Sequence, residues 1–181
     1  FKSRAQIRGA AGQVALGAPA GRLVVSDDTQ MTLFTAEGLA SALAASGEPT
    51  AERIVRRIRQ AYLAWFRTQR EDWNSSATGL LQHRELWAVR APGSTCLSAL
   101  SAGARGSVEA PANDSRGSGA VMRIAPLGLV PAIDAETAFG LAEAVAALTH
   151  GHPAARLSAA ALASLIRDIL AAAQRPEVMS F

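Results

Sequence analysis

Two adjacent aspartates, Asp27 and Asp28, stand where an apolar helical segment begins, in the stretch SDDTQMTLFTAEGLA. One aspartate at such a position is typical of a helix N-cap, where its carboxylate accepts a backbone N–H and suits the helix dipole. A second acid beside it adds little to capping and repels the first. With the hydroxyls of Ser26 and Thr29 on either side, the pair also offers the oxygen ligands that a hard divalent cation prefers. Spacing alone leaves both capping and metal binding open.

A glycine-rich stretch, NDSRGSGAVMRIAPLGLV, is the second segment that could carry chemistry. Gly117 and Gly119 bracket Ser118 just before an apolar run that is compatible with a helix. Glycines let the backbone approach a ligand closely, and unpaired N–H groups at a helix start favour a phosphate or pyrophosphate. The segment has no Gly-Lys-Ser/Thr of a Walker A loop, and no strand precedes it as in a dinucleotide-binding motif. A flexible loop that enters a helix is the alternative interpretation.

Histidine and cysteine side chains supply the remaining candidates. His150 lies at the end of one predicted helix, and His152 lies in the following turn, beside Pro153. Two histidines at this spacing bind one metal only if the loop bends to allow it, so a helix-capping turn is the simpler interpretation. Cys96 lies among leucines on a predicted helix, which favours a small buried hydrophobe over a nucleophile activated by His83 or His150.

The sequence pattern predicts that helices position these groups. Alanine and leucine dominate the apolar residues, aromatic residues make up 5%, and no alternation of period two is long enough for a strand. The predicted N-caps are Thr50, Ser94 and Asp134, and Pro153 is a predicted first helical residue. We therefore predict one all-α domain over residues 1–181, with helices at residues 29–45, 51–69, 95–102, 135–150 and 153–173.

Composition and charge argue against several classes of protein. The formal net charge is +3, and the arginines are spread along the chain, so no nucleic-acid footprint is indicated. The single cysteine excludes an internal disulfide and a Cys-rich zinc site. No apolar run has the length of a membrane span, since the closest is interrupted by Arg167 and Asp168. We expect a cytoplasmic protein with neither a membrane nor a specific nucleic-acid partner.

Four segments occur together and in order: SDDTQMTLFTAEGL, RAPGSTCLSAL, NDSRGSGAVMRIAPLGL and ALTHGHP. Each is short and unspecific alone, but the set in this order is specific. In these segments the chain resembles the ADP-ribosylglycohydrolases, the family of the dinitrogenase reductase-activating glycohydrolase. With intervening stretches such as AYLAWFRTQ and HRELWAVR, the resemblance covers most of residues 1–165.

The resemblance implies an all-α orthogonal multi-helix bundle whose central cleft holds two divalent cations, usually Mg²⁺ and sometimes Mn²⁺. It implies that Asp27 and Asp28 are catalytic and that Ser26, Asp27 and Asp28 bind one of the metals. The implied substrate-binding positions are Gly93 near the ribose, Ser115, Gly117, Ser118 and Gly119 in the loop that holds the pyrophosphate, and His150 on the distal ribose and phosphate side.

The implied activity is hydrolysis of the bond between ADP-ribose and an acceptor, either a protein side chain such as arginine or serine or a related linkage. Such a bond breaks through an oxocarbenium-like state, and hard cations can orient the ribose hydroxyls and activate water. The expected partner is ADP-ribose or an ADP-ribosylated protein. The alternative is a catalytically inactive homologue that binds ADP-ribose or has a structural, crystallin-like role. A third hypothesis is a helical scaffold whose partner docks on the arginine-rich face of the helix at residues 51–69.

Two family motifs do not occur in these 181 residues: an early Gly-Asp-Ala-Leu-Gly type and a late Gly-Asp-x-Asp-(Ser/Thr) type. We therefore expect a bundle that is incomplete at both ends. Because half of the implied metal ligands are missing, we expect this chain alone to bind metal weakly and to hydrolyse substrate poorly.

Overall fold

The computed structural model describes residues 25–174, and its secondary structure is helical. The α-helices are α1 Asp27–Ala44, α2 Ala51–Thr68, α3 Ser94–Ser101, α4 Ala125–Gly128, α5 Ala135–Ala147 and α6 Pro153–Ala173. Short 3₁₀ helices cover Gly79–Gln82, Arg84–Trp87 and Val121–Arg123. No strand occurs between residues 25 and 174, which confirms the all-α prediction there. The predicted domain also includes residues 1–24 and 175–181, which lie outside the described residues.

Local sequence signals explain where three helices begin. The Thr50 hydroxyl accepts the N–H of Arg53 at 3.2 Å, which caps α2. Asp134 Oδ1 accepts the N–H of Thr137 at 2.7 Å, which caps α5. Pro153 is the first residue of α6, where its missing N–H costs no helical hydrogen bond. These three predicted boundaries are confirmed.

Two helix starts differ from the prediction, and α5 ends at Ala147 rather than at residue 150. α1 begins at Asp27 rather than Thr29, so that Ser26 is the N-cap and both aspartates lie in the first helical turn. The prediction of Ser94 as an N-cap is wrong, because Ser94 is already helical and the extended residue before α3 is Gly93. The Gly93 N–H donates to a side chain of α1, which fixes the chain in an extended conformation one residue early.

Two packed helix pairs form the body of the described structure. α1 packs on α2, α5 packs on α6, and the segment at residues 121–128 lies between the pairs in contact with α1 and α6. Phe34, Tyr62 and Trp65 are fully buried in the first pair. Small side chains let α5 and α6 approach closely; the buried alanines are Ala138, Ala142, Ala146, Ala147, Ala155, Ala159, Ala160 and Ala163. Within residues 25–174, no helix has the length and apolar character needed to cross a membrane.

Candidate functional site

The acidic pair at the start of α1 is divided between interior and surface. Asp27 is only 7% exposed, whereas Asp28 is exposed. The Gly93 N–H donates to Asp27 Oδ2 at 3.2 Å, and the Ser26 hydroxyl donates to Asp28 Oδ2 at 2.9 Å. Because the N-cap is Ser26, neither aspartate occupies the capping position. The Asp27 carboxylate instead joins α1 to the residue that precedes α3.

A buried glutamine, Gln30, holds the segment that precedes Gly93 in place beside the acidic pair. Gln30 Nε2 donates to the carbonyls of Leu86 at 3.3 Å and Ala88 at 3.0 Å. Its Oε1 accepts the indole N–H of Trp65 at 3.2 Å. The Gln30 side chain thereby joins α1 both to α2 and to the segment that leads into Gly93.

Among residues 25–174, no basic side chain forms an ion pair with either aspartate of the acidic pair. Burial raises the pKa of Asp27, the N–H of Gly93 lowers it, and the neighbouring Asp28 carboxylate raises it, with a net result above the ordinary value. A positive charge beside a carboxylate favours its ionised form. The pair is therefore a place where a cation would relieve both burial and mutual repulsion.

The first turn of α3 connects the acidic pair to the glycine loop, which we define as residues 113–119. Gly93 precedes α3, and Thr95 within its first turn shares a hydrogen bond with Ser115, Oγ1 to Oγ, at 3.1 Å. One turn of α-helix advances by only about 5 Å. The structure thus brings together Asp27, Gly93 and Ser115, which are far apart in sequence.

His150 forms the wall behind the glycine loop and is 1% exposed. A Cβ atom added to Gly119 would lie 3.0 Å from His150 Nε2 and 3.0 Å from Cys96 Sγ, and one added to Gly117 would lie 3.4 Å from the same Nε2. Neither glycine has a positive φ. Glycine at position 119 is therefore required by the close approach of the loop to His150, while Ser118 faces solvent at the loop's exposed side.

Asn113, which the sequence patterns did not single out, ties the glycine loop to the turn that carries His150. Its Nδ2 donates to the Thr149 carbonyl at 2.8 Å. Its Oδ1 accepts the N–H of Ser115 at 3.0 Å and that of Gly151 at 3.1 Å. The bond to Ser115 is a local turn pattern that a sequence can suggest. The bonds to Thr149 and Gly151 join residues far apart in the chain, and no local sequence pattern indicates them.

Hydroxyl and amide groups line an open depression of about 290 Å³ beside the glycine loop: Ser94, Thr95, Ser98, Asn113 and Ser115. Serine and threonine hydroxyls both donate and accept hydrogen bonds, and an asparagine amide does the same. This lining suits a ligand with many hydroxyl or phosphate oxygens.

The donor set of the acidic pair fits a hard cation. Ser26, Asp27 and Asp28 contribute oxygen atoms and two negative charges, and Mg²⁺ is usually held by one or two carboxylates with waters in its remaining positions. Among residues 25–174, no group of three or more His, Cys, Asp and Glu side chains is placed to hold a metal ion. A cation held by Ser26, Asp27 and Asp28 alone would keep water in its remaining positions.

The other candidate side chains have structural surroundings. Cys96 is 1% exposed, and burial raises its pKa although Arg123 lowers it, so the thiol stays protonated at neutral pH. This environment favours the buried hydrophobe over the nucleophile. His152 Nδ1 accepts the N–H of Ala154 at 3.0 Å and caps α6, in agreement with the capping interpretation of the His150 to His152 turn.

The arginine-rich face of α2 comprises Arg53, Arg56, Arg57, Gln60 and Arg67, and part of it is engaged within the protein. The Arg53 guanidinium donates to the carbonyls of Ser46 at 2.9 Å and Gly47 at 2.6 Å. Arg67 pairs with Glu71 at 3.2 Å, one turn further along the chain. These contacts stabilise the connection between α1 and α2 and the C-terminal end of α2.

Comparison with known proteins gives one match. The family described as ADP-ribosylglycohydrolase matches residues 1–180. Searches of curated proteins and of solved structures give no match. The family match supports a glycohydrolase type of function, and it includes every residue of the acidic pair, the glycine loop and the His150 turn. Because the match spans nearly the whole sequence, the chain belongs to the ADP-ribosylglycohydrolase family.

Proposed function

We propose that this protein is a hydrolase that removes ADP-ribose from a modified acceptor, such as an arginine or serine side chain, at a site with two Mg²⁺ ions. One observation carries the proposal: the first turn of α3 links an acidic pair suited to a cation with a glycine loop suited to a phosphate. A substrate that joins a diphosphate to a reactive sugar needs both kinds of group in one place.

Ser26, Asp27 and Asp28 are the residues that would hold one cation. When bound, Mg²⁺ supplies a Lewis acid that orients ribose hydroxyls and lowers the pKa of water. The carboxylates themselves favour the positive charge that develops on the ribose ring as the bond from the anomeric carbon to the acceptor breaks. Water adds to that carbon, and the acceptor leaves with the bonding electron pair and a proton.

The glycine loop would hold the diphosphate, away from the reacting carbon. Gly117 and Ser118 are exposed, so phosphate oxygens can approach the backbone without meeting a Cβ at position 117. Ser115 and Thr95 add hydroxyl groups on the side nearest the acidic pair. Binding energy from this remote half of the substrate positions the ribose for attack by water.

Asp27→Asn and Asp28→Asn test the proposal, because each keeps the shape of the side chain and removes its charge. With an ADP-ribosylated peptide and Mg²⁺, we expect each variant of the full protein to lose at least about 100-fold in ADP-ribose release, the scale of losing a metal ligand's contribution to the transition state. Thermal melting should show that both variants remain folded. The measurement is the rate of free ADP-ribose formation.

Asp134→Asn is the matched control. It removes a carboxylate from another helix start, and asparagine caps a helix as well as aspartate does. Position 134 lies at the opposite end of α5 from His150, about 20 Å away along the helix. Wild-type turnover in both acidic-pair variants would refute the proposal. Binding of ADP-ribose without any turnover by the wild type would favour the inactive, ADP-ribose-binding alternative.

A further inference from the structure

Arg123 is a cation in the interior of the bundle. It is fully buried, and the structure shows no ion pair between it and any carboxylate of residues 25–174. Its guanidinium carbon lies 4.2 Å from the centre of the Tyr62 ring, and Nη1 lies 3.6 Å from Met31 Sδ and 3.7 Å from Cys96 Sγ. Burying a charge in this way is costly. The remaining polar contacts of Arg123 must therefore offset part of that cost.

The guanidinium donates a short hydrogen bond to the Thr149 hydroxyl, with Nη2 at 2.6 Å from Oγ1. A guanidinium has no acceptor atom, so in this bond the Thr149 oxygen must accept. Its hydroxyl proton remains to be donated. In the same part of the chain, the acceptor that the structure places within reach is His150 Nδ1, at 2.9 Å.

The direction of the second bond determines which ring nitrogen of His150 carries a proton. If the Thr149 hydroxyl donates to Nδ1, then Nδ1 is unprotonated and a neutral ring carries its proton on Nε2. The reverse direction would leave a buried hydroxyl proton without a partner, which is unfavourable. Burial and the charge of Arg123 lower the pKa of His150 to about 4, which keeps the ring neutral at physiological pH.

His150 Nε2 faces the glycine loop. The positions of a Cβ on Gly117 and Gly119 lie 3.4 Å and 3.0 Å from this nitrogen, respectively. A protonated Nε2 would donate a hydrogen bond to an anion held by the loop, whereas an unprotonated Nε2 would repel that anion with its lone pair. The tautomer of His150 thus decides whether its ring attracts or repels a phosphate held by the glycine loop.

We propose that Arg123 and Thr149 are positioning residues that hold His150 in the Nε2–H tautomer, so that the imidazole serves as a hydrogen-bond donor to the phosphate groups of the ligand. In this series of hydrogen bonds, the Arg123 guanidinium donates to the Thr149 oxygen and the Thr149 hydroxyl donates to Nδ1 of His150. The Nε2–H of His150 then points to the glycine loop. The role in ligand binding rests on the proposed function, but the tautomer does not.

Nitrogen-15 NMR of the full chain, labelled at histidine, tests the tautomer without any ligand. The protein has three histidines, and His150→Gln identifies the signals of His150 by their loss. We expect a protonated Nε2 and an unprotonated Nδ1 in the wild type at neutral pH. A protonated Nδ1 in the wild type would overturn the proposal.

Two pairs of variants test the positioning residues. Thr149→Val removes the hydroxyl at nearly constant shape and should give a mixture of tautomers, whereas Thr149→Ser should keep the wild-type signals. Arg123→Met should likewise give a mixture and Arg123→Lys should not; if a buried change at position 123 prevents folding, the Thr149 pair decides.

Thr68→Val, at another buried threonine whose hydroxyl donates to its own helix, is the control for the loss of a buried hydroxyl. A wild-type tautomer in folded Thr149→Val would overturn the proposal.

Calorimetry with ADP-ribose and Mg²⁺ tests the link to the ligand. We expect Thr149→Val to bind about tenfold more weakly than the wild type, the scale of one hydrogen bond to a charged group, and Thr149→Ser to bind within about twofold. No binding by the wild type would refute the proposed function while the tautomer result still stands. Equal affinities of wild type and Thr149→Val, with a changed tautomer, would overturn the ligand part of this inference.

Discussion

At the scale of single residues, Gly119 shows how a missing side chain can shape a site. The loop touches His150 and Cys96 so closely that a Cβ would be 2.9 Å from His150 Cε1. We expect Gly119→Ala to lower the free energy of unfolding by about 1–3 kcal/mol, the usual cost of overpacking. Gly117→Ala is the matched variant, since its Cβ would have ordinary contacts from 3.4 Å outward. Urea denaturation measures both, and equal losses would contradict the explanation by close packing.

His150 should make stability depend on pH. Its pKa is lowered to about 4 by burial and by the nearby Arg123 charge, so between pH 4 and 6.5 the unfolded chain binds a proton that the folded chain does not. The free energy of unfolding is therefore unaffected by His150 above pH 6.5. As the pH falls from 6.5 toward 4, protonation of the unfolded chain lowers this free energy by up to about 3 kcal/mol. The groups that face it are Arg123, through Thr149, and the Cys96 thiol.

Denaturation curves between pH 4 and pH 7 check this dependence. His150→Gln should show a smaller loss of unfolding free energy on acidification than the wild type. His83→Gln changes an exposed histidine and should keep the wild-type profile. The same profile in the wild type and in His150→Gln would show that the ring titrates equally in the folded and unfolded chains.

At the scale of elements, the contact between α1 and α2 depends on Gly38. A Cβ at this position would lie 2.6 Å from the Ile58 Cα and 2.9 Å from the Arg57 carbonyl oxygen. Because these are backbone atoms, Gly38→Ala must separate the helices, and we expect a loss of about 2 kcal/mol or more in unfolding free energy.

Gly140 in α5 is the matched control for this change. It is exposed, and a Cβ added to it would meet no heavy atom within 4 Å beyond its own helical turn, so Gly140→Ala should raise the unfolding free energy by about 0.5–1 kcal/mol through helix propensity. Urea denaturation of both variants measures the difference. A loss of stability in Gly140→Ala, or a gain in Gly38→Ala, would contradict this view of the α1–α2 contact.

Helix boundaries were predictable where the signal is local. Thr50, Asp134 and Pro153 act within one turn of their own helices, and each begins its helix as predicted. Gly93 replaced Ser94 as the cap of α3 because its N–H bonds to Asp27, 66 residues earlier. The run after the glycine loop divides into a 3₁₀ turn and the short α4, with Pro126 within the first two helical positions.

At the scale of the whole molecule, residue types indicated part of the site and the fold supplied the rest. The acidic pair, the glycines and His150 could be singled out from the sequence as candidates because their motifs are short and contiguous. Asn113, Arg123 and Thr149 were not, because their roles come from hydrogen bonds to residues 26 to 38 positions away. No periodicity or spacing within one segment encodes such bonds.

The amide of Asn113 has a mechanical consequence. One side-chain oxygen receives the N–H groups of both Ser115 and Gly151, and the amide nitrogen of the same side chain holds Thr149. The loop cannot swing outward without pulling on the turn, and the turn cannot shift without tilting the loop. The glycine loop and the turn at residues 149–151 are therefore mechanically coupled, and a displacement of either segment is transmitted to the other.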